Sequence, residues 1–153
     1  MNLYRIVKTE ARASDLSGTG AFRVGGRWNK AGTYMLYASE SSSLALLENL
    51  VHFDLDELVP HLYLIHIEVQ NRAPVWTLPE EEYPEDWREP GLLSCSGLGD
   101  RVMKERKYLG LRVRSAVNPF EYNYLLNPLF PRYYDLVRIR DIQKVPLDGR
   151  LVK

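Results

Sequence analysis

The sequence predicts one compact α+β domain, a mixed or antiparallel sheet with a few helices, and three observations carry that prediction. The chain has 153 residues, the length of a single ordinary domain. Its 45% hydrophobic and 26% charged residues are a globular composition with enough apolar material for a real core. Stretches that alternate apolar and polar residues outnumber helical ones after residue 60, and no regular strand–helix alternation dominates. Residues 1–153 are therefore read as one domain.

Tyr4 to Lys8 is a short β-like run. Residues 14–32 read as a loop, because five of the ten glycines (Gly18, Gly20, Gly25, Gly26, Gly32) fall there. Such a concentration marks backbone that turns tightly or approaches something closely. Tyr34 to Ala38 is an aromatic and apolar strand. Ser39 to Ser43 supplies N-cap candidates for a helix over 43–53, with Leu44, Leu47 and Val51 as its apolar stripe. Residues 62–69 alternate, with Tyr63, Ile65, Ile67 and Val69 on one face.

Residues 74–90 contain four of the nine prolines and read as an acidic loop or a short broken helix. Gly97 to Leu109 is predicted as a helix, basic on its exposed side. Residues 111–117 alternate again, placing Leu111, Val113, Ser115 and Val117 on one face. Tyr122–Leu126 and Leu136–Ile142 complete six strands.

The 20 Lys and Arg balance the 20 Asp and Glu, so no basic excess exists to hold nucleic acid directly. The balance is local, however. Six acids crowd into 74–90 beside one base, Arg88, which leaves the rest of the chain positive and suited to a small anionic ligand. Cys95 is the only cysteine, so an intramolecular disulfide and a Cys-based zinc site are excluded. His52, His61 and His66 lack metal-ligand spacing, and no metal is expected. The opening MNLYRIVKTE has no apolar run, and nothing approaches the ~18 apolar residues of a membrane span. A cytoplasmic protein is expected, without a membrane partner. No P-loop, dinucleotide fingerprint or nucleophile elbow is present.

Five positions carry chemistry, each with two readings. Glu48 borders the apolar stripe of its helix, so it either faces a pocket or, at the stripe's edge, reaches solvent or pairs with His52 four residues on. Arg27, behind two glycines in GGRWN, suits bidentate phosphate recognition or a structural salt bridge. Trp28 beside it is either core or a ligand platform. Ser115 and Asn123 are polar residues in otherwise apolar or aromatic strands. Each either donates into a cavity or satisfies nearby backbone.

Taken together, Tyr4-Arg5, Gly20-Ala21, GGRWN at 25–29, Gly32, LYASE at 36–40, LALLENLVH at 44–52, SAV at 115–117 and NYLLNP at 123–128 resemble the RES domain family. These are the toxins of RES–Xre toxin–antitoxin systems, and the resemblance runs in order along essentially the whole chain. It implies a fold similar to ADP-ribosyltransferases and activity on NAD⁺ as substrate rather than cofactor. Carried over, Arg27, Glu48 and Tyr37 are the catalytic positions, and Arg27, Trp28, Tyr37, Ser115 and Asn123 bind NAD⁺. Arg114 and Phe130 depart from the family pattern, which bears on loop shape or partner fit.

The chemistry fits those residue types. Breaking the nicotinamide–ribose bond builds positive charge on the ribose, as in glycoside hydrolysis. Glu48 would stabilise that charge, Arg27 would clamp the diphosphate, Tyr37 would stack on nicotinamide, and Ser115 and Asn123 would hold the amide or phosphate. Water, inorganic phosphate or a target protein could accept the ADP-ribosyl group. The resemblance also implies a helix-turn-helix antitoxin of the Xre type, a segment of which blocks the pocket. A binding module without turnover and an RNA-directed toxin are the competing readings. The second would call for a basic face that the balanced charge does not supply.

Overall fold

The computed structural model describes residues 1–52 and 61–152. The strands are β1 (Asn2–Val7), β2 (Leu36–Ser39), β3 (His61–Val69), β4 (Val75–Thr77), β5 (Gly110–Arg114), β6 (Tyr122–Leu126) and β7 (Val137–Pro146). The helices are α1 (Glu10–Ala13), α2 (Thr19–Val24), α3 (Ser42–Leu50), α4 (Leu93–Glu105) and α5 (Tyr133–Leu136). Among the described residues the seven strands form one sheet in the order β4-β5-β6-β2-β1-β3-β7. Only β4 and β5 pair in parallel. The architecture is the mixed α+β fold that the alternation implied. No helix among the described residues is long and apolar enough to cross a membrane.

Period-two alternation sends the side chains of each strand to opposite faces, and both faces are covered. On β6, Tyr124 and Leu126 enter one core with Leu3, Ile65, Ile67 and Val137, under Tyr133 and Leu136 of α5. Leu125 points the other way, into a core with Leu111 and Val113 of β5 and with Cys95, Val102 and Met103 of α4. The register then sets the polar row that matters. Asn123 pairs with Ser39 on one side and Val113 on the other, on the Leu125 face of the sheet.

Several elements differ from the expectation. The stretch 14–32 contains α2, which Gly18 and Gly25 bound and which includes Gly20, while Gly26 and Gly32 lie in the loop that follows. β4 is a seventh strand inside the acidic stretch, too short at three residues to show a period. α4 begins at Leu93 and not Gly97, since its first turn exposes Leu93 and offers no apolar pattern; it stops before Arg106, which is left-handed. β5 ends at Arg114, so Ser115 lies just past the strand. α3 is capped by Ser41, whose Oγ accepts the Leu44 N–H at 3.1 Å; Phe53, the last residue of the expected helix, lies outside the described residues. The buried face of α3 is Leu44 and Ala45, whereas Leu47 and Val51 are 38% and 54% exposed. Glu48, one turn after Leu44, therefore belongs to the covered side of the helix.

α4 sits so close to the 25–29 loop that a Cβ on Gly99 would run into the Trp28 carbonyl, while Gly97 has nothing near it. Gly99→Ala is expected to cost about 1–3 kcal/mol through overpacking. Gly97→Ala should add about 0.5–1 kcal/mol by lowering unfolded-chain entropy. Denaturant unfolding of the two variants reads both, and effects of equal sign would mean that α4 is not seated on residue 28.

Candidate active site

The Leu125 face of the sheet opens into a cleft of about 1330 Å³, lined by Arg27, Tyr37, Ser39, Glu48 and Asn123 and walled on one side by Pro90–Leu93. Ordinary small-molecule pockets are roughly 300–1,000 Å³, so this one has room for a dinucleotide. α3 packs across β1 and β2 and carries Glu48 to β6.

Glu48 is held by two donors on one oxygen. The Ser115 hydroxyl donates to Oε1 at 2.6 Å, and the Asn123 Nδ2 donates to the same atom at 2.6 Å. Each donor is fixed from behind. Ser39 Oγ donates to Asn123 Oδ1 at 2.7 Å, which orients the amide so that its NH₂ faces Glu48. Ser115 Oγ accepts the N–H groups of Val117 at 3.1 Å and Asn118 at 3.0 Å, which turns its own proton toward the carboxylate. Oε2 has no partner among the described residues. Hydrogen bonds to a charged group contribute about 1.5–3 kcal/mol each, so this is a firmly set carboxylate.

The second charged group is differently placed. Arg27 makes no salt bridge among the described residues; its Nη1 donates to the backbone carbonyls of Trp87 at 2.8 Å and Glu89 at 2.9 Å. Nε and Nη2 remain as donors on the cleft side chain. Tyr37 is locked through its hydroxyl, which donates to Asn29 Oδ1 at 2.7 Å and accepts the Trp28 N–H at 3.1 Å. Burial pushes that phenol well above its ordinary pKa, so it stays protonated and is no general base. Gly26 permits the arrangement, because a Cβ there would stand 2.7 Å from the Tyr37 hydroxyl.

Two candidates sit deeper than the resemblance implied. Trp28 borders the cleft but is only 2% exposed, its ring packed in an aromatic group with Tyr83 and Trp87. Ser115 is fully buried and does not line the cleft, so its hydroxyl serves Glu48; Asn123 also donates to Glu48 but does line the cleft. The pairing of Glu48 with His52 is replaced by these contacts. Arg114 grips Glu80 through Nε and Nη2 and the Pro119 carbonyl through Nη1, tying the acidic stretch to the turn after β5.

Two residues escaped the sequence reading. Asn29 is buried and donates Nδ2 to the carbonyls of Ala21, Lys30 and Thr33 while accepting Tyr37, so it organises the GGRWN loop. Ser39 orients Asn123. The strand period offered one signal for Ser39, since it stands two residues beyond Tyr37 on the same face. Among the described residues no group of three His, Cys, Asp or Glu could hold a metal ion.

Ser115→Ala removes an acceptor from two backbone N–H groups and a donor from Glu48 at once. It is expected to lower stability by about 1–3 kcal/mol, read by thermal unfolding. A variant as stable as the wild type would mean that this hydroxyl is not holding the turn.

The family model of the RES domain matches residues 2–148. Toxin Res of Photorhabdus laumondii subsp. laumondii is 37% identical, with 100% of this chain aligned to 98% of that one. The Prs ADP-ribosylating toxin of Sphingobium sp. is 33% identical over 96% of this chain and 94% of its own length. Among solved structures, a chain of the M. tuberculosis MbcT–MbcA toxin–antitoxin complex superposes with a TM-score of 0.70 at 20% identity, covering 99% of this chain and 86% of that chain. That likeness concerns the fold. The family match along nearly the whole sequence and the full-length identity go further: the chain belongs to the RES domain family of toxins.

Proposed function

We propose that this RES toxin consumes NAD⁺ by cleaving its nicotinamide–ribose bond. The observation that carries the reading is the state of Glu48: one carboxylate oxygen tied down by Ser115 and Asn123, the other unpartnered beside a cleft of dinucleotide size. When the C1′–N bond breaks, its electron pair leaves with nicotinamide as a neutral molecule and positive charge develops on the ribose. A pre-set carboxylate stabilises that charge without reorganising at the moment of reaction. Ser115 and Asn123 act through Glu48 and need not touch the substrate.

Arg27 takes the diphosphate with Nε and Nη2, and the Tyr37 ring packs against the nicotinamide. An acceptor then forms the new bond to C1′ and gives up its proton. Water gives hydrolysis and inorganic phosphate gives phosphorolysis. A protein side chain gives ADP-ribosylation, a second reading favoured by the similarity to the Prs ADP-ribosylating toxin of Sphingobium sp.. An antitoxin partner follows from the likeness to the toxin–antitoxin complex, and one with an Xre-type helix-turn-helix domain that covers the cleft would provide the restraint such an activity needs.

Free nicotinamide measured on incubation with NAD⁺ tests the reading, and product analysis with and without phosphate or a labelled protein target separates the acceptors. Glu48→Gln should lower nicotinamide release by roughly 10²–10⁴-fold while the protein remains folded. Wild-type turnover by that variant would remove Glu48 from the chemistry. Arg27→Lys should raise KM for NAD⁺, because a point ammonium does not reproduce a planar fork. An unchanged KM would take Arg27 out of substrate binding.

A further inference from the structure

Arg27 meets the acidic stretch, yet none of that stretch's carboxylates holds it. Its partners are two main-chain carbonyls, those of Trp87 and Glu89, taken by the two N–H groups of a single nitrogen, Nη1. This contact fixes the plane of the guanidinium and leaves Nε and Nη2 as a fork. Everything around the two carbonyls keeps them in place. Trp87 N–H bonds Pro84 O at 3.1 Å and Glu89 N–H bonds Asp86 O at 2.9 Å, with Asp86 left-handed at φ 57°. The Trp87 ring packs on Tyr83 at 5.0 Å and Trp28 at 6.5 Å. Arg88, between the two carbonyls, donates Nε to Ala116 O at 2.9 Å, which moors the segment to the turn beside Ser115.

We propose that Trp87 is a positioning residue for substrate binding: its ring anchors the 87–89 carbonyl pair, and the pair holds Arg27 in the orientation that receives an anionic diphosphate. The proposal rests on the reading of Arg27 as the group that binds the diphosphate of NAD⁺. The physical basis is pre-organisation, since an arginine already fixed by Nη1 has less freedom to lose when a ligand arrives. It also explains why this wall is built from aromatic packing and backbone hydrogen bonds and not from an ion pair to Arg27. A carboxylate there would compete with the ligand for the same fork.

Steady-state kinetics of nicotinamide release provides the first test. Trp87→Ala should raise KM for NAD⁺ about 10-fold with kcat little changed, and Trp87→Phe should recover most of that loss. In an Arg27→Lys background Trp87→Ala should add nothing to KM, because the group through which it acts is already gone. Glu85→Gln, an exposed acid of the same segment, should leave KM unchanged. A full additional rise in the Arg27→Lys background, or a loss of thermal stability with KM unaltered, would reduce Trp87 to packing alone.

Hydrogen exchange supplies an arm that needs no turnover and no Trp87 variant. Arg27→Ala should speed exchange of the Trp87 and Glu89 amides relative to the wild type, whereas Glu48→Gln should not. Unchanged exchange in Arg27→Ala would overturn the pinning. If the wild type released no nicotinamide, the NAD⁺ reading would fall while this arm still decided whether Arg27 and the wall hold each other.

Discussion

A carboxylate on the covered side of a helix has to be satisfied, and the Glu48 Oε1 atom is where this fold meets that constraint. Four separate pieces of chain converge on it: α3 brings the carboxylate, β6 brings Asn123, the turn after β5 brings Ser115, and β2 brings Ser39 behind the amide. Moving any one of these by an ångström breaks a 2.6–2.7 Å hydrogen bond in a partly buried setting, where the loss is costly. The polar chain therefore fixes how α3 sits on the sheet as firmly as the apolar contacts of Leu44 and Ala45 do. Because every donor in it is neutral, the carboxylate is held without being neutralised by a cation.

The other side of the cleft solves the opposite problem. Arg27 is a cation that must stay available, so its anchor is two dipolar carbonyls and not a carboxylate. The acids of the 80–89 stretch are all exposed, and one of them, Glu80, is engaged by Arg114. The overall charge of zero thus conceals a division. One cleft presents an unneutralised arginine and an unneutralised carboxylate, a pairing suited to a ligand with an anionic diphosphate at one place and developing positive charge at another.

The relatives frame how much of this depends on sequence detail. At 20% identity the fold superposes with a TM-score of 0.70, since alternation and core volume survive wide substitution. Arg114 ties the acidic stretch to the Pro119 carbonyl and so helps to shape this side of the cleft.

The sequence by itself determined the α+β class, six of the seven strands, the helix bearing Glu48, and the glycine-flanked arginine, because periodicity, capping and turn chemistry are local properties. It also pointed to Glu48, Ser115 and Asn123 as polar residues where apolar ones were due. Only the tertiary structure decided what they do. Ser115 and Asn123 reach Glu48 across 67 and 75 residues, and strand register, not spacing, sets that meeting. Trp28 turned out to be core because α4, seated on it through Gly99, and the aromatic wall enclose its ring. The partners of Arg27 lie 60 and 62 residues away and are main-chain carbonyls, which every residue carries and which therefore leave no mark in a sequence.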